Sequence, residues 1–202
     1  MFKDKLKISY YGATKTEDGI GLASKLHLEA LKKNDSKNNL LIKEYNLSRN
    51  VGYQKCTNLI SEITIDNLYN DNSQINYFHF SPRWIKKYLG NKERLYLKEK
   101  INIGYWVCEA QKIPENWIQN IDFFNEIWTA SDFCKKVYQK QLNIPVKVIN
   151  HPVAERELSQ RLLNRYRKLK QEPFTFLTIA NAFSDLKRKN SVAVIKAFKR
   201  AF

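Results

Sequence analysis

Short runs of β-branched and aromatic residues alternate along this chain with segments of helical period, and no other feature constrains its fold as much. Lys5 to Tyr11 alternates, turns apolar and ends at Gly12, as a strand entering a loop does. From Gly19 to Leu31, the apolar residues Ile20, Leu22, Ala23, Leu26, Ala30 and Leu31 recur with a period of about 3.6, so a helix follows that strand. Leu40 to Tyr45 is a second strand and Ile75 to Phe80 a third. Ser81 and Pro82 suit the N-cap and first turn of a short helix over Arg83 to Leu89. Ile101 to Val107, Glu126 to Ala130 and Val146 to Ile149 continue the strands, with helices over Pro114 to Ile121 and from an N-cap at Ser131 to Gln141. Thr57 to Leu68 mixes β-branched and helical spacing and leans to helix. Parallel strands need crossover connections, so the expected fold of residues 1–153 is a doubly wound, Rossmann-like α/β domain with helices on both faces of a parallel sheet.

Residues 154–171 change to a charged, weakly amphipathic composition, read as a linker or surface helix. Beyond it, Phe174 to Ala180 reads as an apolar strand and Ser191 to Phe202 as a helix. One strand and one helix cannot bury their apolar faces alone. Residues 172–202 are therefore expected to open a second domain cut short by the end of the chain, the alternative being an extension of the first sheet.

With 43% hydrophobic residues in 202, the chain has enough apolar material for a core of ordinary size. No apolar run approaches the ~20 residues of a membrane-spanning helix. The amino terminus lacks a secretion signal, so a cytoplasmic location is expected. The formal charge of +15 suits nucleic acid, an anionic membrane surface or a substrate rich in phosphate or carboxylate. A Lys and Asn bias spread over solvated surface explains it as well. Cys56, Cys108 and Cys134 form no CxxC pair and have no neighbouring histidine cluster, so they read as reduced, buried thiols, and no metal or cofactor is expected.

Three stretches, in order, carry a resemblance. The first is the loop from Tyr11 and Gly12 through Gly19, Ile20 and Gly21. The second joins Ile75-Asn76-Tyr77-Phe78-His79-Phe80 and Ile103-Gly104-Tyr105-Trp106 with Glu109, Pro114, Trp117, Glu126-Ile127-Trp128, Ser131 and Asn150-His151-Pro152-Val153. The third is Phe174 to Leu177 with Lys187-Arg188-Lys189-Asn190. Together they resemble the glycosyltransferase family 4-like pattern. That resemblance implies a GT-B fold, with this chain supplying the acceptor-side domain and the start of the donor-binding domain. The family's later pair of glutamates has no counterpart in the chain.

The resemblance implies a retaining transfer from a nucleotide-sugar donor to a glycan or lipid-linked acceptor. The chain alone would be inactive, and it could touch an anionic membrane peripherally. His79 and Glu109 are then the catalytic candidates, through hydrogen bonding or proton transfer at a sugar hydroxyl. Gly19 and Gly21 would face phosphate or acceptor at a helix amino terminus. Arg188 and Lys189 would hold the donor diphosphate. Ser131 and His151 are further cleft candidates, Ser131 having the competing role of a helix N-cap. Two other readings stand beside this one: a non-catalytic docking protein of the same fold, and a basic nucleic-acid-binding protein, against which the core-like positions of Trp106, Trp117 and Trp128 argue.

Overall fold

A computed structural model describes residues 5–34, 39–47, 63, 65–108, 110–154, 159–169, 174–179 and 189–202. The chain divides into two units, Met1–Ala154 and Glu155–Phe202.

The first unit is built on a six-stranded sheet in the order β2-β1-β3-β4-β5-β6. The strands are β1 (Leu6–Gly12), β2 (Leu40–Asn46), β3 (Ile75–His79), β4 (Ile101–Tyr105), β5 (Glu126–Thr129) and β6 (Val146–Val148). Every pairing is parallel, the arrangement that the strand and helix alternation predicts. Helix α1 (Gly19–Lys33) connects β1 to β2, and shorter helices at Ile65–Tyr69, Ile85–Tyr88, Asn91–Lys98, Glu115–Ile118 and Asp132–Gln139 fill the later connections.

Alternate residues of each strand enter two separate cores. Ile8 and Tyr10 of β1, Tyr77 of β3, and Ile103 and Tyr105 of β4 pack with Leu28 of α1 on one face. Tyr11, Tyr45, Phe78, Trp106 and Ile127 belong to the larger layer on the other face. There the fully buried Trp106 meets Phe124 and Trp117 edge-on, with centroids 5.2 and 5.8 Å apart. Burying a side chain of that size contributes about 3 kcal/mol from apolar transfer.

Two groups of polar side chains buried in or beside the sheet satisfy one another. The Asn76 amide donates to Asn102 Oδ1 at 2.8 Å, and Asn102 Nδ2 donates to the carbonyls of Leu97 and Phe123. Asp71 accepts from the Ser9 and Tyr45 hydroxyls and from the Ser73 amide. The Cys134 thiol donates to the Cys108 carbonyl at 3.2 Å, and both thiols are free and buried. Cys56 lies outside the described residues.

Several local expectations change. The third and fourth strands stop at His79 and Tyr105, two or fewer residues short of their apolar runs. Ser81 makes no side-chain cap, and the expected helix there divides into a 3-10 turn at Pro82–Trp84 and one turn of α-helix. A helix at Asn91–Lys98 adds an element, with Leu97 buried and Leu95 exposed. Of the ambiguous stretch 57–68, residues 57–62 and 64 lie outside the described residues, and residues 65–68 belong to the helix Ile65–Tyr69.

In the second unit, Gln160–Leu169 and Ser191–Ala201 are helices. Residues 174–179 are not a strand. They are exposed and have no partner strand to pair with among the described residues of the unit. Phe176 instead packs against Phe198 and Phe202, with centroids 5.6 Å from each. Among the described residues no helix is long and apolar enough to cross a membrane.

Candidate functional site

The chain leaves β1 toward β2 on one side and returns to β3 on the other, so β1 and β3 are neighbours at which the sheet order reverses. The connections after these two strands diverge, and they leave a crevice beyond the carboxyl ends of the sheet. Gly12 ends β1 and pairs in register with His79, which ends β3. A cavity of about 330 Å³ opens here, lined by Gly19, His79, Arg83, Tyr105, Trp117 and His151 among others. A larger depression of about 800 Å³ lies along α1 but is lined by opposed surface charges such as Lys15, Lys25, Glu29, Lys32 and Glu44. Lys32 and Glu44 already pair at 3.3 Å, so that depression carries no convergent chemistry.

Helix α1 brings a residue to the site that sequence reasoning missed. His27 is 5% exposed and lies on the apolar stripe of α1 with Ala23, Leu28 and Leu31. Its signal was an imidazole where the helical period calls for a hydrophobe. His27 Nδ1 is 3.2 Å from the Tyr77 hydroxyl, and its Nε2 is 3.4 Å from His151 Nδ1. The Tyr105 hydroxyl donates to the Ile149 carbonyl at 2.9 Å and lies 3.3 Å from the same His151 nitrogen.

His79 is equally buried, at 5% exposed. It hydrogen-bonds its own backbone, which only Nδ1 can reach, while Nε2 is buried without a partner. One ring nitrogen from each of His27, His79 and His151 lies within 4.8 Å of the others.

These imidazoles are uncharged near neutral pH. Burial, with His151 adding to it, holds His27 down to about 4. Burial and then the neighbouring His27 hold His79 down to about 3. Burial lowers His151 as well, although it is exposed on one side. Such histidines are weak bases that offer lone pairs rather than positive charge.

The remaining candidates separate. Gly19 opens α1 and lines the cavity, and a side chain there would meet nothing within 4 Å. Gly21 has a packing role: a Cβ would stand 1.8 Å from the Thr16 carbonyl oxygen. Its N–H is taken by the Asp18 carboxylate at 2.7 Å, so the amide expected to face an anion already has one. Ser131 is the N-cap of Asp132–Gln139, its hydroxyl accepting from the Cys134 amide. Lys189 is exposed in the second unit, beside Asn190 in the left-handed conformation. Glu109 and Arg188 lie outside the described residues. His79, His151 and Gly19 are thus the sequence candidates that the first unit brings together, and Arg83, Tyr105 and Trp117 complete the wall.

No protein-family model matches the chain, and comparison with curated proteins finds no match.

Proposed function

We propose that the first unit is the acceptor side of a GT-B glycosyltransferase that moves a sugar from a nucleotide-sugar donor to a glycan or lipid-linked acceptor. One observation carries the reading: an imidazole- and aromatic-lined cavity stands at the reversal point of a doubly wound parallel sheet. That is where folds of this architecture hold ligands. Ile20, Val107 and the edge of Trp117 offer apolar surface to a sugar's C–H groups, while His151 offers a polar atom to its hydroxyls. Arg83, whose guanidinium lies 4.8 Å from the Trp84 ring, faces a phosphate-bearing or otherwise anionic acceptor.

His79 orients rather than deprotonates in this scheme, because a group with so low a proton affinity is a poor general base near neutral pH. The donor diphosphate falls to the basic segment around Arg188 and Lys189, as the sequence resemblance implies. A +15 chain then serves an anionic donor and an acceptor at a membrane surface.

Saturation-transfer NMR on the full chain with a panel of hexoses, disaccharides and nucleotide sugars tests this. At least one sugar should receive saturation, and Val107→Trp, which fills the cavity mouth, should abolish it. Arg83→Ala should weaken phosphorylated sugars more than neutral ones. Saturation of no sugar, or the same saturation in Val107→Trp, would sink the reading. Tight binding of single-stranded RNA that Val107→Trp leaves intact would turn it toward nucleic acid.

A further inference from the structure

We propose that His27, His79 and His151 form a binding site for one divalent transition-metal ion of the zinc class, at the floor of the cavity. Three histidines from α1, the end of β3 and the segment after β6 converge with one nitrogen each inside 4.8 Å. Structural histidines usually satisfy both ring nitrogens with protein partners. Here His79 Nε2 has none and is shut off from solvent. A metal ion would use that lone pair, which here lies beside two further imidazoles.

The spacing suits an ion. Two nitrogens each bonded at 2.0–2.1 Å in tetrahedral geometry stand about 3.3 Å apart. His27 Nε2 and His151 Nδ1 are 3.4 Å apart. The other separations, up to 4.8 Å, must contract on binding, and His151, exposed and in an irregular segment, is free to adjust its side chain toward the other two. The outer partners are in place as well. Tyr77 holds His27 Nδ1, and its hydroxyl can switch from donor to acceptor, which frees His27 Nε2 of its proton. Imidazole ligands select zinc, cobalt, nickel or copper over magnesium and calcium.

Three protein ligands leave a tetrahedral ion one further position. His79 and His151 both line the cavity, so water or an oxygen of a cavity ligand would complete the shell. The site stands independently of the sugar reading, since its test uses metal alone.

The full chain, stripped with chelator, is titrated with ZnCl2 by calorimetry and with CoCl2 by visible absorption. One ion per chain is expected, with the visible bands of tetrahedral cobalt. His79→Gln and the exposed-site variant His151→Gln should each weaken binding at least about tenfold, and Tyr77→Phe should weaken it about tenfold through the lost outer contact. Circular dichroism checks that each variant is folded, and because His151 is exposed and lies outside the helices and strands, His151→Gln remains informative if His79→Gln is not folded. Absence of a one-to-one isotherm, or less than a tenfold loss in folded His151→Gln, overturns the site.

Discussion

The His79 imidazole lies flat against the Tyr105 ring, with centroids 4.8 Å apart and planes 9° from parallel. The stack fixes the azimuth of a ring that has no hydrogen bond at Nε2 to orient it. Tyr105 also ties the segment after β6 through its hydroxyl on the Ile149 carbonyl. Tyr105→Phe keeps the stack and deletes the tie. We expect a loss of about 1 kcal/mol in urea denaturation, the usual net worth of such a bond, together with line broadening at His151 but not at His79 in NMR. Equal broadening at both would show that the hydroxyl, not the stack, holds His79.

Gly19 and Gly21 open the same helix, yet they should respond oppositely to alanine. Gly19→Ala meets open space, and no described glycine has a positive φ, so stability should hold or rise by about 0.5 kcal/mol. Gly21→Ala drives a methyl into the Thr16 carbonyl and should cost about 2 kcal/mol or more. Thermal melts of the two variants decide it. A stable Gly21→Ala would mean that the loop can move aside.

Ser131 gives a cleaner separation of scaffold from site. Ser131→Ala should cost about 1 kcal/mol by removing the cap on Asp132–Gln139. Sugar binding should be unchanged in the same protein. A binding defect without a stability loss would return Ser131 to the cleft.

Asp71 supplies the pH dependence. Burial opposes its charge, but hydrogen bonds from Ser9, Tyr45 and the Ser73 amide, helped by the nearby Lys43 charge, outweigh burial and hold the carboxyl below its ordinary value of 3.8. A depressed folded value means that the stabilisation is present above the unfolded value and is lost as the pH falls through the folded one. Asp71→Asn should therefore be less stable than the parent at pH 7, and the gap should shrink below about pH 4. Urea midpoints for both proteins at pH 7 and pH 3 check this, and a constant gap would show that the charge contributes nothing.

The parallel sheet was legible because runs such as Ile75 to Phe80 and Ile101 to Val107 are buried on both faces except at their ends, and so nearly continuous in apolar character. Strand ends were less so: Phe80 and Trp106 stay apolar beyond the last pairing because they turn into the core. The Phe174 run misled for the same reason, since apolar residues mark burial or aromatic clustering without naming strand. The site was half legible. His79 and His151 stand out beside loops, but His27 sits inside a helical repeat, and only the crossing of α1 over β3 and β4 brings the three imidazoles together. The Asp18 grip on the Gly21 amide was hidden because a carboxylate before a glycine turn reads equally as a cap or as solvated charge.

Along β3, Tyr77 and His79 look toward α1, whereas Asn76 and Phe78 look the other way. Under the proposed site, the strand thus interleaves two inheritances, one letter for recognition and the next for durability. Drift at the first kind can explore new ligands while the hidden layer around Trp106 keeps the molecule folded, and lesions at the second kind should be rescued by stabilising changes far away that leave ligand choice untouched.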